Sequence, residues 1–278
     1  MNTIQEFVVI SIIIPTYKPQ NYIIDCLKSI EAQIFNKSGF EVVIILNGNR
    51  SPYYSFIEDI LSQCTFLYKL FYTEIIGVSN ARNIGIEQSE GRYLTFVDDD
   101  DIISENYLQE LYDVAKNGVM SLSYSKAFIE NITTAIDYRV THIYNRMKRK
   151  ALTVVNIHSY FSFPVCKLID REIIGTQRFN NKIQNGEDAL FMFAISKKIK
   201  KMQFTNKTAV YYRRIRNDSL MNRKVGKIYI IKNYSCMMFC MISLYLKAPI
   251  KYNFVFFVIK IFAIFKSAIL MMKKNIWS

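Results

Sequence analysis

Phe7 to Ile14 is an apolar run broken only by Ser11 and rich in Val and Ile. Such a run without alternation predicts a strand buried on both faces. No Lys or Arg precedes it and Pro15 closes it, so it reads as a strand and not as a secretion signal. Ile23, Leu27, Ile30 and Ile34 then recur at helical spacing. Glu41 to Leu46 predicts a second buried strand, ended by Asn47-Gly48-Asn49. Ser55 to Cys64 reads as helix and Thr65 to Tyr72 as a short strand. Asn80 to Glu87 reads as a helix with Gly91 at its exit, and Arg92 to Val97 as a further strand. Ser104 is placed to cap a helix whose apolar face is Leu108, Leu111 and Ala115 and which Gly118 stops; Val119 to Ser123 is again strand-like. This alternation predicts an α/β chain with a mainly parallel, Rossmann-like sheet flanked by helices. Ligands of such sheets sit beyond the carboxyl ends of the strands. Pro15–Tyr17, Asn47 and Asp98–Asp101 would share that rim.

Between about 125 and 165 the pattern weakens into loops and a variable helix, with a basic cluster at Arg146, Lys148, Arg149 and Lys150. Val165 to Asp170 reads as a strand. Gly186 to Ile199 reads as a helix opened by Glu187 and Asp188 and closed by Lys197, Lys198 and Lys200, a polarity that complements its dipole. From Val225 onward apolar runs are punctuated by Lys247, Lys251, Lys260, Lys266, Lys273 and Lys274. Lys260 and Lys266 interrupt the best spanning candidate, 252–272, near its middle. The tail is therefore expected to form amphipathic helices lying in a membrane interface, with lysines reaching the headgroups. The alternative is that the helices pack on the domain and the lysines are simply solvated.

Composition narrows the classes. With 51% hydrophobic residues in 278, disorder is excluded. Five scattered cysteines without a C-x-x-C pair argue against a disulfide scaffold, and two histidines against a His-rich metal cage. The net charge of +13 is uneven: residues 1–100 are net acidic, whereas 201–278 carry 15 Lys+Arg against one acidic residue. A basic but apolar tail fits an anionic membrane face better than nucleic acid.

Four stretches can carry chemistry. Asp98-Asp99-Asp100-Asp101 follows a buried strand, and adjacent carboxylates need a counter-charge such as Mg²⁺ or Mn²⁺. A solvated acidic turn with Asp101 aiding a helix start is the plain alternative. Gly186-Glu187-Asp188 opens a helix, where acids are often dipole complements only. Arg82 in Gly77-Val78-Ser79-Asn80-Ala81-Arg82-Asn83 can approach a phosphate or pair with a carboxylate. Tyr211-Tyr212-Arg213-Arg214-Ile215-Arg216, followed by Ser219, suits a strand ending in a phosphate-facing loop. No G-x-G-x-x-G, G-x-x-x-x-G-K-[ST] or G-x-S-x-G motif is present.

In order, these pieces resemble glycosyltransferase family 2 of the GT-A fold. The matching residues are Ser11–Tyr17, Ser79–Gly85, Phe96–Asp101, Gly186–Phe191 and Tyr211–Arg213, so the resemblance covers about residues 8 to 220. It implies a GT-A domain over 1–224, with a nucleotide-sugar half at 1–125 and an acceptor half at 126–224. The basic hydrophobic helices of 225–278 follow. It implies that Pro15, Thr16 and Tyr17 line the base pocket with Arg82 nearby, that Asp98 and Asp100 form the metal-binding D-x-D pair, and that Asp99 touches the ribose. Asp188, with Glu187 beside it, matches the catalytic base, and Arg214 or a neighbour would contact the diphosphate. One departure is Asn47-Gly48-Asn49, where the family commonly has an Asp-Asp-Gly-Ser type turn whose first acid contacts uracil; Asn47 offers an uncharged amide instead.

The implied activity is a metal-dependent (Mn²⁺ or Mg²⁺), inverting transfer of a hexose or N-acetylhexosamine. The donor is expected to be a UDP-sugar. The acceptor is expected to be a glycan hydroxyl, lipid-linked, in capsule, O-antigen or related surface-polysaccharide synthesis. The partners would be that donor, that acceptor and the cytoplasmic face of the plasma membrane, with no nucleic acid. Rival readings are a nucleotidyltransferase, whose Gly- and Lys/Arg-rich loop is missing after the first strand, and a basic nucleic-acid- or membrane-binding module without catalysis.

Overall fold

A computed structural model describes residues 8–115, 119–147, 150–216 and 226–274; Phe7, Gly118, Lys148, Arg149, Ser219 and Val225 lie outside the described residues. The first half alternates β1 (Ile10–Thr16), α1 (Tyr22–Glu31), β2 (Phe40–Asn47), α2 (Tyr53–Leu61), β3 (Leu67–Thr73), α3 (Val78–Gln88) and β4 (Tyr93–Phe96). Next come β5 (Ile102–Ile103), α4 (Tyr107–Ala115), β6 (Val119–Leu122), β7 (Tyr124–Phe128) and α5 (Arg139–Met147). The chain continues through β8 (Lys167–Asp170), α6 (Arg171–Ile174), α7 (Glu187–Ser196), β9 (Lys201–Phe204), β10 (Val210–Arg214), α8 (Lys227–Lys247) and α9 (Phe254–Lys274).

Strands of period two divide the core into two layers. Ile10, Ile12 and Ile14 of β1 pack with Ile23, Leu27 and Ile30 of α1, whereas Ile13 joins Val43, Ile45 and Ala81 on the opposite face. Every residue of β1 and β2 is buried, which is why both read as unbroken apolar runs. The large sheet has the order β3-β2-β1-β4-β8-β6-β9. Its β3, β2, β1 and β4 are parallel, and β8 runs antiparallel to both β4 and β6. The strand order reverses between β1 and β4, so the crevice for a ligand opens where Thr16 and Asp98 emerge. A smaller sheet, β5-β10-β7, lies beside that edge.

The weak stretch from 125 to 165 holds β7 and α5. β7 is short, carries Ser125 and Lys126, and has its partner β10 more than eighty residues away, so no local pattern announces it. β9 is an edge strand that begins at Lys201, just past the lysine-rich stretch that closes the helix before it. Ser104 does not cap α4 with its side chain. Its hydroxyl donates to Thr208 O and accepts from Val210 N–H, tying β10 to the sheet edge.

The tail packs on the domain. Ile230, Met237 and Met241 of α8, together with Tyr252, Phe256 and Ile264, belong to the same core cluster as α7. Tyr252 stacks on Phe193 at 4.7 Å. Lys260 corrects the expectation that the tail lysines reach headgroups. It is 3% exposed, and its Nζ donates to His158 O (3.0 Å), Phe161 O (2.7 Å) and Ser162 Oγ (3.1 Å) of a 3-10 turn. A buried ammonium needs such acceptors.

Candidate active site

Three strand ends form the rim. At the end of β1, Thr16 is buried and donates its hydroxyl to the Asp99 carboxylate, while Tyr17 stands exposed. At the end of β2, Asn47 is 3% exposed, and both ends of its amide are engaged. Nδ2 donates to Thr16 O (2.7 Å) and Oδ1 accepts from Gly77 N–H (3.0 Å). Asn47 thus straps β1 to the start of α3. Gly48, with φ +94°, lies against the Tyr17 ring, where a Cβ would clash.

The aspartate quartet leaves β4 and splits by direction. Asp101 points inward, accepting from Tyr211 OH (2.6 Å) and Arg214 N–H (2.7 Å). Burial, then the charges of Asp100 and Asp98, push its carboxyl well above the ordinary range. It fastens the turn to β10 and does not start a helix. Asp98, Asp99 and Asp100 face the crevice. Burial outweighs the Thr16 hydrogen bond and pushes Asp99 up to about 7; burial and the Asp98 charge also raise Asp100, against the pull of Arg216. The Asp100 carboxylate accepts from Arg216 Nε at 2.8 Å.

Arg82 links this turn to a segment ninety residues away. It is 4% exposed on α3, and the ring of Phe179 lies 5.4 Å from its guanidinium. Nη2 donates to Asp98 Oδ1 (3.0 Å) and Nη1 to Asp188 Oδ1 (2.5 Å). Burial alone would depress its pKa, but Asp188 and Asp98 reverse that and hold it charged. Asp98 and Asp188 therefore sit within the span of one guanidinium. Burial and Asp98 raise the Asp188 pKa, while Arg82 opposes them. Glu187 is pushed up to about 8 by burial and the Asp188 charge.

Arg214 is buried, with Nη2 on Asp25 Oδ2 (2.8 Å) and Nε on Asp100 O (2.9 Å), between the rings of Tyr22 and Phe128. The structure thus brings Thr16, Arg82, Asp98, Asp99, Asp100 and Asp188 to one crevice, and holds Asn47, Asp101 and Arg214 behind its wall. Sequence reasoning missed Asp25 and Asn83. Asn83 exchanges hydrogen bonds with the backbone of Phe179, donating at 3.0 Å and accepting at 2.8 Å. Neither carried a signal beyond lying in a motif or on a helix face.

A metal can be tested against this donor set. Among the described residues, no three His, Cys, Asp or Glu side chains converge into a complete cage. A hard dication shared with a diphosphate needs only one or two carboxylates. The part-exposed Asp98, whose Oδ1 accepts from Arg82, and Asp100, whose Oδ2 meets Arg216, are hard oxygen donors on one turn, so they fit such an ion.

A sequence profile of glycosyl transferase family 2 matches residues 11–176. The glycosyltransferase GlyG of Streptococcus pneumoniae is 27% identical over 222 residues, 76% of this chain and 72% of GlyG. Among solved structures, TarS 1–349 of Staphylococcus aureus in complex with UDP-GlcNAc superposes with a TM-score of 0.69 at 20% identity, over 84% of this chain and 66% of that one. The mannosyltransferase PcManGT of Pyrobaculum calidifontis, with GDP-Man and Mn²⁺, gives 0.61 at 13% identity, over 97% of this chain and 75% of that one. The chain spans just under two thirds of that TarS fragment. These structural likenesses show the fold, α/β of the GT-A kind with a mostly parallel central sheet.

Proposed function

The chain belongs to glycosyltransferase family 2, and from that premise we propose that it moves a hexose or N-acetylhexosamine from a nucleotide-diphosphate sugar to a glycan hydroxyl. A UDP-sugar is the donor of choice, since the TarS fragment similar in fold was captured with UDP-GlcNAc. The observation that carries the reading is the Arg82 guanidinium held between Asp98 and Asp188. It keeps the acid at the end of β4 and the acid at the start of α7 on one crevice.

A hydroxyl must lose its proton as it attacks. Asp188, bridged to Arg82 and still 23% exposed, would accept it. Glu187, at about 8, is protonated at pH 7 and carries no competing charge. Attack opposite the leaving diphosphate needs one base and no covalent intermediate, so the anomeric configuration inverts. Pro15, Thr16 and Tyr17 would line the base, with Asn47 holding them in register. Asp99 would meet the ribose, and Arg216, beside Asp100, would face the phosphates with Arg214 behind it. Asp98 and Asp100 would hold Mg²⁺ or Mn²⁺, which when bound offsets the charge gathering on the leaving diphosphate.

The acceptor would be a lipid-linked glycan of a capsule, O-antigen or related surface polysaccharide, met at the cytoplasmic face of the plasma membrane. Both α8 and α9 are long and apolar enough to cross a membrane. Lying on it is favoured by the Lys260 tie to the domain and by an outward face of Phe239, Leu246, Phe262, Phe265 and Leu270 beside exposed lysines.

The test is Asp188→Asn. Turnover should fall by about 10²–10⁴-fold while UDP-sugar binding persists. Near-normal turnover, or a product that keeps the donor's anomeric configuration by NMR, removes the assignment.

A further inference from the structure

Helix α8 touches the loop that leads into the turn carrying Asp188. Residues 184–186 immediately precede α7, and three residues of α8 one turn apart meet them in order. Tyr229 OH donates to Gln184 Oε1 at 3.1 Å. Asn233 accepts from Gln184 N–H through Oδ1 (3.1 Å) and donates to Asn185 O through Nδ2 (2.9 Å). Met237 packs under Gly186, where a Cβ would overlap its sulfur. Positions 229, 233 and 237 share one helix face, so this is a continuous grip.

Two features give the grip a purpose. Asn233 is only 6% exposed, among the buried Ile230, Met237 and Met241 of α8, and an amide there is unfavourable unless both its ends are bonded. Both are bonded, and among the described residues their partners are in this loop. Gly186, in turn, has φ +91° and no side chain with which to cap α7. The first turn of α7, which carries Glu187 and Asp188, is therefore held from outside, by the tail.

We infer that Asn233 is a positioning residue for Asp188: through the 184–186 loop, α8 sets the turn that aims this carboxylate at the acceptor. The inference rests on the reading of Asp188 as the base. It makes the C-terminal hairpin part of the reaction machinery as well as a surface for attachment.

The full-length protein tests it in two ways. Amide hydrogen exchange over residues 184–190 needs no donor, and Asn233→Ala should speed it by at least about tenfold. With UDP-GlcNAc as the donor probe and UDP release as the readout, Asn233→Ala should lower kcat by about 10–10²-fold with KM within about twofold, because misplacing a reacting group by 1 Å costs on that order. Asn233→Asp, nearly isosteric and keeping the acceptor for Gln184 N–H, should recover part of the loss and guards against misfolding. In an Asp188→Asn background Asn233→Ala should add less than about twofold, since residues acting as a unit are not additive. Unchanged exchange, or full additivity in the double variant, overturns the role of Asn233 and leaves the base assignment standing. Near-normal turnover of Asp188→Asn alone overturns the base assignment, and the positioning role falls with it.

Discussion

Two cations are buried to the same depth in different regions and meet opposite fates. Arg82, at the rim of the large sheet, is 4% exposed and faces the carboxylates of Asp98 and Asp188. Lys260, in the hairpin, is 3% exposed and, among the described residues, donates to two carbonyls and a hydroxyl. Burial depresses both pKa values. Around Arg82 the carboxylates more than reverse that depression, whereas Lys260, with Lys167 and Arg139 adding repulsion, is pushed down to about 7. Depth of burial therefore does not tell a cation held charged from one driven toward neutrality; the charge of the partners does.

Removing Arg82 should have the largest effect of all. Arg82→Ala leaves two carboxylates facing each other in a crevice that already holds Asp99 at about 7. Losing one partner of a buried ion pair costs about 3–5 kcal/mol. A urea titration should show a loss of that order, and turnover of the remaining folded protein should fall at least about 10²-fold. Arg82→Lys should restore little of either, because an ammonium cannot reach both acids in fork geometry. Full rescue by lysine would mean that the bridge supplies charge alone.

Position along the chain explains how much of this is legible in the sequence. β1, β2 and β4 are buried on both faces, so their apolar runs announce them, and the residues just after each run lie on the rim. That logic alone places Thr16, Asn47 and the aspartate quartet. Arg82 and Asp188 are visible as motifs, but only the family resemblance brings them together across 106 residues. In the tail the charge pattern misleads. A lysine inside an apolar helix suggests snorkelling, yet the acceptors of Lys260 are carbonyls of the 3-10 turn His158–Ser162, about a hundred residues earlier and without any periodic signal. Asn233 is the same kind of case: a buried polar side chain whose partners lie in a loop that only the fold brings near.

The two regions should also separate by pH. As the proposed base, Asp188 must be ionised to accept a proton, and burial with Asp98 places its pKa above the usual carboxyl value. On the acid side kcat should therefore fall about tenfold per pH unit, with its midpoint above about 3.9. An acid limb at or below that value would show that Arg82 fully compensates the burial.

For Lys260 the sign is that of a depressed base. Between its folded pKa of about 7 and the ordinary lysine value near 10.4, the unfolded chain binds more protons than the folded one. Its contribution to stability therefore rises with pH across that window, by at most about 1.4 kcal/mol per pH unit. Relative to Lys260→Met, the wild-type protein should gain unfolding free energy from pH 7 to 10 and show a constant difference below pH 7. A difference that does not change with pH would place the Lys260 pKa near its solution value and dissolve the contrast with Arg82.

The smallest effects lie on the hairpin surface, where they distinguish the lysine that is tied down from those that can meet lipid. Lys247 and Lys251 flank the turn between α8 and α9, are exposed, and lie next to Ile250, which is 99% exposed. If this turn rests on an anionic leaflet, each lysine contributes about 1 kcal/mol. Lys247→Gln and Lys251→Gln should then each weaken flotation with phosphatidylglycerol vesicles by about fivefold. Added salt should shrink both effects, and neither change should move stability by more than about 0.5 kcal/mol. Lys260→Met should leave vesicle affinity unchanged, because its ammonium is already engaged by the 158–162 turn and cannot reach a headgroup. Equal losses at Lys251 and Lys260 would mean that the membrane pulls Lys260 out of the domain, and α9 would then have to leave its seat on the core for the protein to bind lipid.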